Sequence, residues 1–302
     1  MNYVIFILGA TATGKTNLAI ELTKYLSCEL ISVDSALVYK GMDIGTGKPS
    51  FKHHLIDILE PNQNYSAASF RADSLKLIKQ ILAKGKIPIL VGGTFLYFKA
   101  LLNNLADLPN ANEQIRYELN QQLQLKGLNF LHHKLEQIDP ISALKIHAHD
   151  KQRIMRALEV FYLTGKPLSL HLAEQFCYKF PYKVIQFGLN IERSELHKRI
   201  AVRFKQMLEL GFVDEVVKLY NRGDLNDDMP AIRAVGYRQI WQYLAARCSY
   251  AEACEKAIIA TRQLAKRQCT WLSSWDNVIN LNGKVSSSEN AIKIIKYLES
   301  FN

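Results

Sequence analysis

A chain of 302 residues, 48% hydrophobic and 22% charged, with 15 glycines and 8 prolines, has the make-up of a globular protein and excludes disordered, collagen-like and low-complexity classes. Its apolar opening run, Tyr3 to Ala10, is too short to span a bilayer and follows no basic region, so neither a leader nor an anchor is expected. Lysine and arginine number 38 against 28 acidic residues, a net charge of +10, which points to an anionic partner without choosing between nucleic acid, phosphate esters and a membrane surface.

Tyr3–Leu8 is an apolar run bounded by Gly9 and predicts a buried strand. Lys15–Leu26 has helical spacing at Leu18, Ala19, Leu22 and Leu26. Glu29–Val33 reads as a second strand and His54–Ile58 as a short third one. Ser66–Ala83 places Phe70, Leu75, Ile78, Ile81 and Leu82 on one helix face and stops at Gly85. Ile87–Val91 is a further buried strand closed by Gly92-Gly93, and Thr94–Leu102 a helix. This βαβα alternation with near-continuous apolar strands predicts a parallel sheet covered on both faces.

From about Asn110 to Pro181 the strand signals vanish. Glu113–Lys126, Asn129–Gln137 and Asp150–Leu163 all read as helices, with Asp139-Pro140 as a start signal. A strand returns at Tyr182–Leu189, followed by helices at Glu195–Leu210, Val213–Asn221 and Tyr250 to about Trp271, and by a last strand at Val278–Leu281. The expected fold is therefore α/β: a parallel core of the P-loop NTPase type at 1–109, an inserted all-helical subdomain at 110–181, and a return to the core with a helical C-terminal part at 182–302. The last segment carries +5 of the net charge.

Cys28, Cys177, Cys248, Cys254 and Cys269 form no C-x-x-C pair and are odd in number. They predict free thiols of a reducing, cytoplasmic setting, with no disulfide framework or zinc site.

Gly9-Ala10-Thr11-Ala12-Thr13-Gly14-Lys15-Thr16 fits G-x-x-x-x-G-K-[ST] between a strand and a helix. Successive N–H groups of such a loop converge on one anion, and the helix N-terminus adds its partial charge. Lys15 brings a full charge, and the Thr16 hydroxyl is placed for Mg²⁺. A di- or triphosphate is the expected ligand. Asp34 ends the second strand, where ligands of open α/β sheets bind. It could be a magnesium partner, a general base or a helix cap. Thr94, after Gly92-Gly93, could cap its helix or donate to a ligand. Arg203, with Arg193 and Arg199 nearby, is a candidate clamp on the phosphates. Arg153 and Arg156 share one helix face, and Arg262 to Gln268 precede Trp271. Basic residues interleaved with amides and an aromatic suit RNA, although a charged helix face is usually merely solvated.

The chain resembles the tRNA dimethylallyltransferase family over essentially its whole length. The resemblance rests on Gly9–Thr16 (GATATGKT), Ile31–Tyr39 (ISVDSALVY), Gly41–Pro49 (GMDIGTGKP), His54–Asp57 (HLID), Tyr65–Phe70 (YSAASF) and Val91–Tyr97 (VGGTFLY). It continues through Gln152–Glu159 (QRIMRALE), Arg233–Arg238 (RAVGYR) and Arg262–Leu272 (RQLAKRQCTWL). It implies that Gly9, Ala10, Thr11, Ala12, Thr13, Gly14, Lys15 and Thr16 hold dimethylallyl diphosphate with Mg²⁺. Asp34 would be the base toward the exocyclic amine of the adenine just 3′ of the anticodon, and Arg203 would help bind diphosphate. A tRNA anticodon stem-loop would run past Asp34, Ser35, Ala36 and Leu37; Gln152, Arg153, Ile154, Met155 and Arg156; and Arg233, Ala234, Val235, Gly236, Tyr237 and Arg238. The path would continue along Lys266, Arg267, Gln268, Cys269, Thr270, Trp271, Leu272 and Ser273, with Thr94 and Arg116 at the anticodon loop. A monomer is expected. Ala10 departs from the proline common in the family's loop, and Ser273 from an arginine. Two other classes compete: a small-molecule or nucleoside kinase using ATP at the same loop, and an RNA-binding module without chemistry.

Overall fold

The computed structural model describes residues 3–103, 108–109, 111–174 and 180–300. Cys177 and the expected boundary at Asn110 lie outside these residues. The chain forms two compact units: residues 1–102 with 180–302, and residues 103–179.

The first unit opens with β1 (Tyr3–Gly9), α1 (Lys15–Leu22), β2 (Cys28–Val33), α2 (Ala67–Ala83), β3 (Ile87–Gly92) and α3 (Phe95–Leu102). The second unit holds α4 (Glu113–Ile138), α5 (Pro140–Lys145), α6 (Lys151–Thr164) and α7 (Leu168–Ala173). The first unit resumes with β4 (Lys183–Asn190), α8 (Arg193–Glu209), α9 (Phe212–Tyr220), α10 (Tyr237–Leu244), α11 (Tyr250–Ser273), β5 (Val278–Asn282) and α12 (Ser287–Glu299).

The strands make one parallel sheet in the order β2-β3-β1-β4-β5, with Ile5 beside Ile89 and Ile185. β1 is central and buried throughout from Val4 to Gly9, which is why it reads as an unbroken apolar run rather than an alternating one. Ile5, Ile7, Leu18, Leu22, Ile89 and Phe187 form one core between the sheet and its helices. Each side chain so buried contributes about 1.5–3 kcal/mol. Because all strands run the same way, their carboxyl ends share one edge of the sheet.

His54–Ile58 is not a strand. The backbone makes a single parallel bridge to Ile31, then turns away because Leu55 and Asp57 take positive φ angles of 66° and 55°. The segment is held instead by His54, whose Nε2 lies 2.8 Å from Glu29. That hydrogen bond, outweighing burial and helped by Lys86 and Lys84, pushes the Glu29 carboxyl down to about 2. α1 ends at Leu22, four residues before its expected end, in a turn through Thr23. α4 joins the two helices expected at 113–126 and 129–137 through Gly127, whose φ of 79° interrupts the helical geometry between them. α7, α10 and α12 carry no counterpart among the expected elements. Among the described residues no helix is long and apolar enough to cross a membrane.

Candidate active site

β1 delivers the chain into the phosphate loop, and α1 begins at Lys15 behind Gly14, which caps it in the left-handed region at φ 94°. The Thr13 hydroxyl closes the loop by donating to the Ala10 carbonyl at 2.8 Å. Lys15 Nζ donates to the same carbonyl at 2.9 Å. Burial pushes the Lys15 ammonium down to about 8; Asp34 pulls it back up and Arg203 adds to the depression. Burial likewise lowers the Arg203 guanidinium, against the pull of Asp34. Two cations and a carboxylate therefore sense one another across a cavity of about 160 Å³ that Lys15, Thr16, Asp34 and Arg203 all line.

A consequence follows for pH. A lysine with a depressed pKa loses its charge as pH rises through about 8, whereas a bound phosphate dianion holds the proton on. Binding of a phosphate ester is therefore expected to weaken steadily above that pH and to take up a proton there. Calorimetry in buffers of different ionisation enthalpy reads the proton directly, and an affinity flat from pH 7 to pH 9 would contradict the account.

Asp34 follows β2. Its Oδ1 accepts the N–H of Ala36 at 2.8 Å and that of Leu37 at 3.4 Å, an Asx-type turn. Among the described residues Oδ2 takes no hydrogen bond, so one oxygen holds the turn and the other is left for the cavity. The Thr94 hydroxyl accepts the Ser35 N–H at 3.2 Å, tying the turn after β3 to the loop that carries Asp34.

Gln268 was read among RNA-facing residues, but α11 turns it inward. Its Oε1 accepts the Thr11 N–H and its Nε2 donates to the Gly93 carbonyl, each at 2.8 Å. Only glycine fits at 93, since a Cβ there would stand 2.4 Å from Nε2. One buried amide thus joins the phosphate loop to the β3–α3 turn.

Arg203 was expected at the phosphates, but the loop that holds it and the apolar lining were not foreseen. Arg203 Nη2 donates to the Thr46 carbonyl at 3.1 Å, and Gly47 packs so closely that a Cβ would lie 1.9 Å from that nitrogen. Ile200, Phe204, Met207 and Phe212 add apolar side chains to the cavity lining. The signal available in the sequence was Glu215, an acid at the buried positions of an otherwise apolar helix face formed by Phe212, Val216 and Leu219.

The remaining expected RNA contacts divide by exposure. Arg233, Arg238, Lys266, Arg267, Thr270, Trp271 and Ser273 are exposed, whereas Gly236, Tyr237, Gln268 and Leu272 are buried. Ala234, Val235 and Cys269 are half-buried, and Ala234 and Val235 line the cavity. Trp271 stacks on Phe95 with ring centroids 6.3 Å apart. The Ser273 hydroxyl donates to the Thr270 carbonyl of its own helix.

In the second unit Gln152 and Arg153 are exposed, Met155 is half-buried and Ile154 is fully buried in the helical core. Arg116 and Arg156 converge on Glu159, which is 1% exposed. Arg156 Nη1 donates to Glu159 at 2.7 Å and Nη2 to the Pro109 carbonyl at 2.6 Å. Burial alone would raise the Glu159 carboxyl; the hydrogen bonds from Arg116, Arg156 and the Asn112 N–H hold it below its ordinary value. Arg156 thus has a structural partner, so Arg156→Ala is expected to cost about 1.5–3 kcal/mol of this unit's stability by removing one charged donor from Glu159, which keeps Arg116 and the Asn112 N–H. Neutralising Lys266 and Arg267 should leave stability alone and reduce the log–log salt slope of RNA binding by roughly one unit per contact. Melting curves and filter binding across salt separate the two, and equal effects on both readouts would contradict this division.

A parallel sheet whose central strand feeds a phosphate loop, with an acid from the next loop and an arginine facing it, defines a phosphate-loop transferase of the α/β class. The chain belongs to the IPP transferase family: the model of that family matches residues 37–275, and an isopentenyl transferase model matches residues 2–56. It is a prenyltransferase. Among solved structures it is similar to a tRNA isopentenylpyrophosphate transferase from Bacillus halodurans, at 37% identity over 99% of this chain and 96% of that one, with a TM-score of 0.72. A tRNA delta(2)-isopentenylpyrophosphate transferase from Staphylococcus epidermidis is 35% identical over 100% of both chains, also with a TM-score of 0.72. A eukaryotic dimethylallyltransferase acting on tRNA is 26% identical over 100% of this chain and 80% of that one, with a TM-score of 0.82.

Proposed function

We propose that the protein, a cytoplasmic enzyme, transfers the dimethylallyl group of dimethylallyl diphosphate to the exocyclic amine of the adenine just 3′ of the anticodon in tRNA, releasing diphosphate. The observation that carries this reading is the composition of one cavity: Lys15, Thr16 and Arg203 for a phosphate group, Asp34 with them, and the apolar side chains of Phe204, Met207 and Phe212 in the same lining. A kinase site would have to accommodate a polar acceptor where this cavity presents hydrocarbon.

In this mechanism the loop N–H groups, Lys15 and Arg203 bind the diphosphate and stabilise the charge that develops as the bond from C1 of the dimethylallyl group to the leaving oxygen breaks. An allylic carbon tolerates that charge separation well. Thr16 is the residue that would hold Mg²⁺. A single hydroxyl beside the substrate's phosphate oxygens suits an ion that keeps much of its own water, and the metal supplies further neutralisation of the leaving group. The adenine amine is a poor nucleophile, and Asp34 Oδ2 takes its proton as the new C–N bond forms. The base must leave its stack to reach the cavity. The exposed Lys266, Arg267, Arg233 and Arg238 suit contacts to phosphates, with Trp271 as an aromatic surface among them.

Ligand choice tests the reading at once. With Mg²⁺ present, dimethylallyl diphosphate should bind and prenylate tRNA, and ATP should phosphorylate none of a panel of small alcohols and nucleosides. Phosphoryl transfer from ATP without prenyl transfer would return the site to a kinase.

A further inference from the structure

Glu215 on α9 is buried, and among the described residues no lysine or arginine pairs with it. Its carboxylate is satisfied by neutral donors instead. Oε2 accepts the N–H of Asp43 at 2.8 Å and of Ile44 at 2.7 Å, and Oε1 accepts the N–H of Gly45 at 3.1 Å together with the Tyr237 hydroxyl. Three consecutive N–H groups aimed at one carboxylate fix the backbone of that loop far more tightly than an apolar side chain at 215 could. The next carbonyl along, Thr46, is the one that receives Arg203. Lys48 braces the same loop from its far end through Asp43 and Asp57. The fourth donor, Tyr237, belongs to the Arg233–Arg238 segment and packs edge-on against Phe212 with ring centroids 5.0 Å apart.

A buried anion is costly to keep, and its cost is offset here only by the four donors it gathers, three of them from one loop. We infer that Glu215 is a positioning residue for the prenyl donor: by clamping the N–H groups of residues 43–45 it holds the Thr46 carbonyl that aims Arg203 at the diphosphate. This rests on the donor reading given above. The clamp bears on Arg203, which both binds the diphosphate and steadies it as the C1–O bond breaks, so its effect belongs in kcat/KM for the donor and in diphosphate affinity.

The test is a double-mutant cycle between Glu215→Gln and Arg203→Lys, read as the dissociation constant for inorganic diphosphate and as KM and kcat for prenyl transfer. Glutamine turns an amide NH₂ toward backbone donors, so Glu215→Gln is expected to raise the donor KM and weaken diphosphate roughly 10- to 100-fold. Any fall in kcat should not exceed the loss of diphosphate affinity, and in the Arg203→Lys background the same substitution should add less than about threefold. Additive effects in the cycle, or a loss confined to kcat, would overturn the inference. Should Glu215→Gln fail to fold, Tyr237→Phe removes a single donor and should show the same non-additivity with Arg203→Lys at roughly a tenth of the size; additivity there overturns it equally. A wild-type protein that prenylates nothing from dimethylallyl diphosphate would sink the donor reading and this inference with it. Normal wild-type transfer with an additive cycle sinks the inference alone.

Discussion

Asp34→Asn is expected to lower turnover by roughly 10²–10⁴-fold, the usual worth of a positioned base, while both substrates still bind. The substitution is clean because of how the carboxylate is used. Oδ1 accepts the Ala36 and Leu37 N–H groups, and an amide oxygen can do the same, so the turn and its flanking backbone survive. What asparagine removes is the charge and the proton-accepting oxygen that faces the cavity. The three readings of this residue separate on one experiment, a single-turnover rate with pre-formed ternary complex measured across Mg²⁺ concentration. A general base predicts a slow step that metal does not repair. A magnesium partner predicts weakened diphosphate binding and partial rescue by added metal. A turn cap alone predicts near-normal rates, since asparagine caps as well as aspartate does.

Lys15→Ala is expected to reduce kcat/KM for the donor on the order of 10²–10³-fold, comparable with removing one preorganised donor from a charge-stabilising site. The ammonium is held in place by the Ala10 carbonyl and tuned by burial. Arg203 remains, which is why some activity should persist. Affinity for tRNA should stay nearly unchanged, because the exposed basic residues of α11 and of the Arg233–Arg238 segment do not depend on Lys15. Filter binding that shows equal loss of tRNA and donor affinity in a folded Lys15→Ala protein would contradict this separation.

What the sequence made legible was the part of the site built from contiguous residues. The strand Tyr3–Gly9, the loop to Thr16 and the helix behind it follow from local apolar runs, glycines and a helix start. Asp34 stood out because ligands of open parallel sheets bind beyond the carboxyl ends of the strands, although its role there was left among three. Residues that act across the chain were harder to see. Gln268 sits in a basic, exposed-looking run, and only the packing of α11 against the first strand's loop turns it inward to Thr11 and Gly93. Arg156 reads in the sequence only as a basic residue beside Arg153, and its pairing with the buried Glu159, three residues on, shows only in the packing. The Met42–Lys48 loop has no periodicity to read, since its shape is imposed by Glu215 and Lys48 rather than by propensity. His54–Ile58 is a short, largely apolar segment that suits a strand, and two left-handed residues turn it away. In each case the decisive partner is distant in sequence or hidden in a backbone angle.

The central claim, that one cavity unites a diphosphate cradle with an acceptor base for tRNA prenylation, is tested most directly by the product. The purified protein is incubated with dimethylallyl diphosphate, Mg²⁺ and unmodified tRNA, and the tRNA is digested and its nucleosides weighed by mass spectrometry. The account predicts adenosine heavier by one dimethylallyl group, confined to the position just 3′ of the anticodon, and absent when Asp34→Asn replaces the wild type over the same interval. Diphosphate release without any prenylated nucleoside, or equal prenylation by the Asp34→Asn protein, would contradict it.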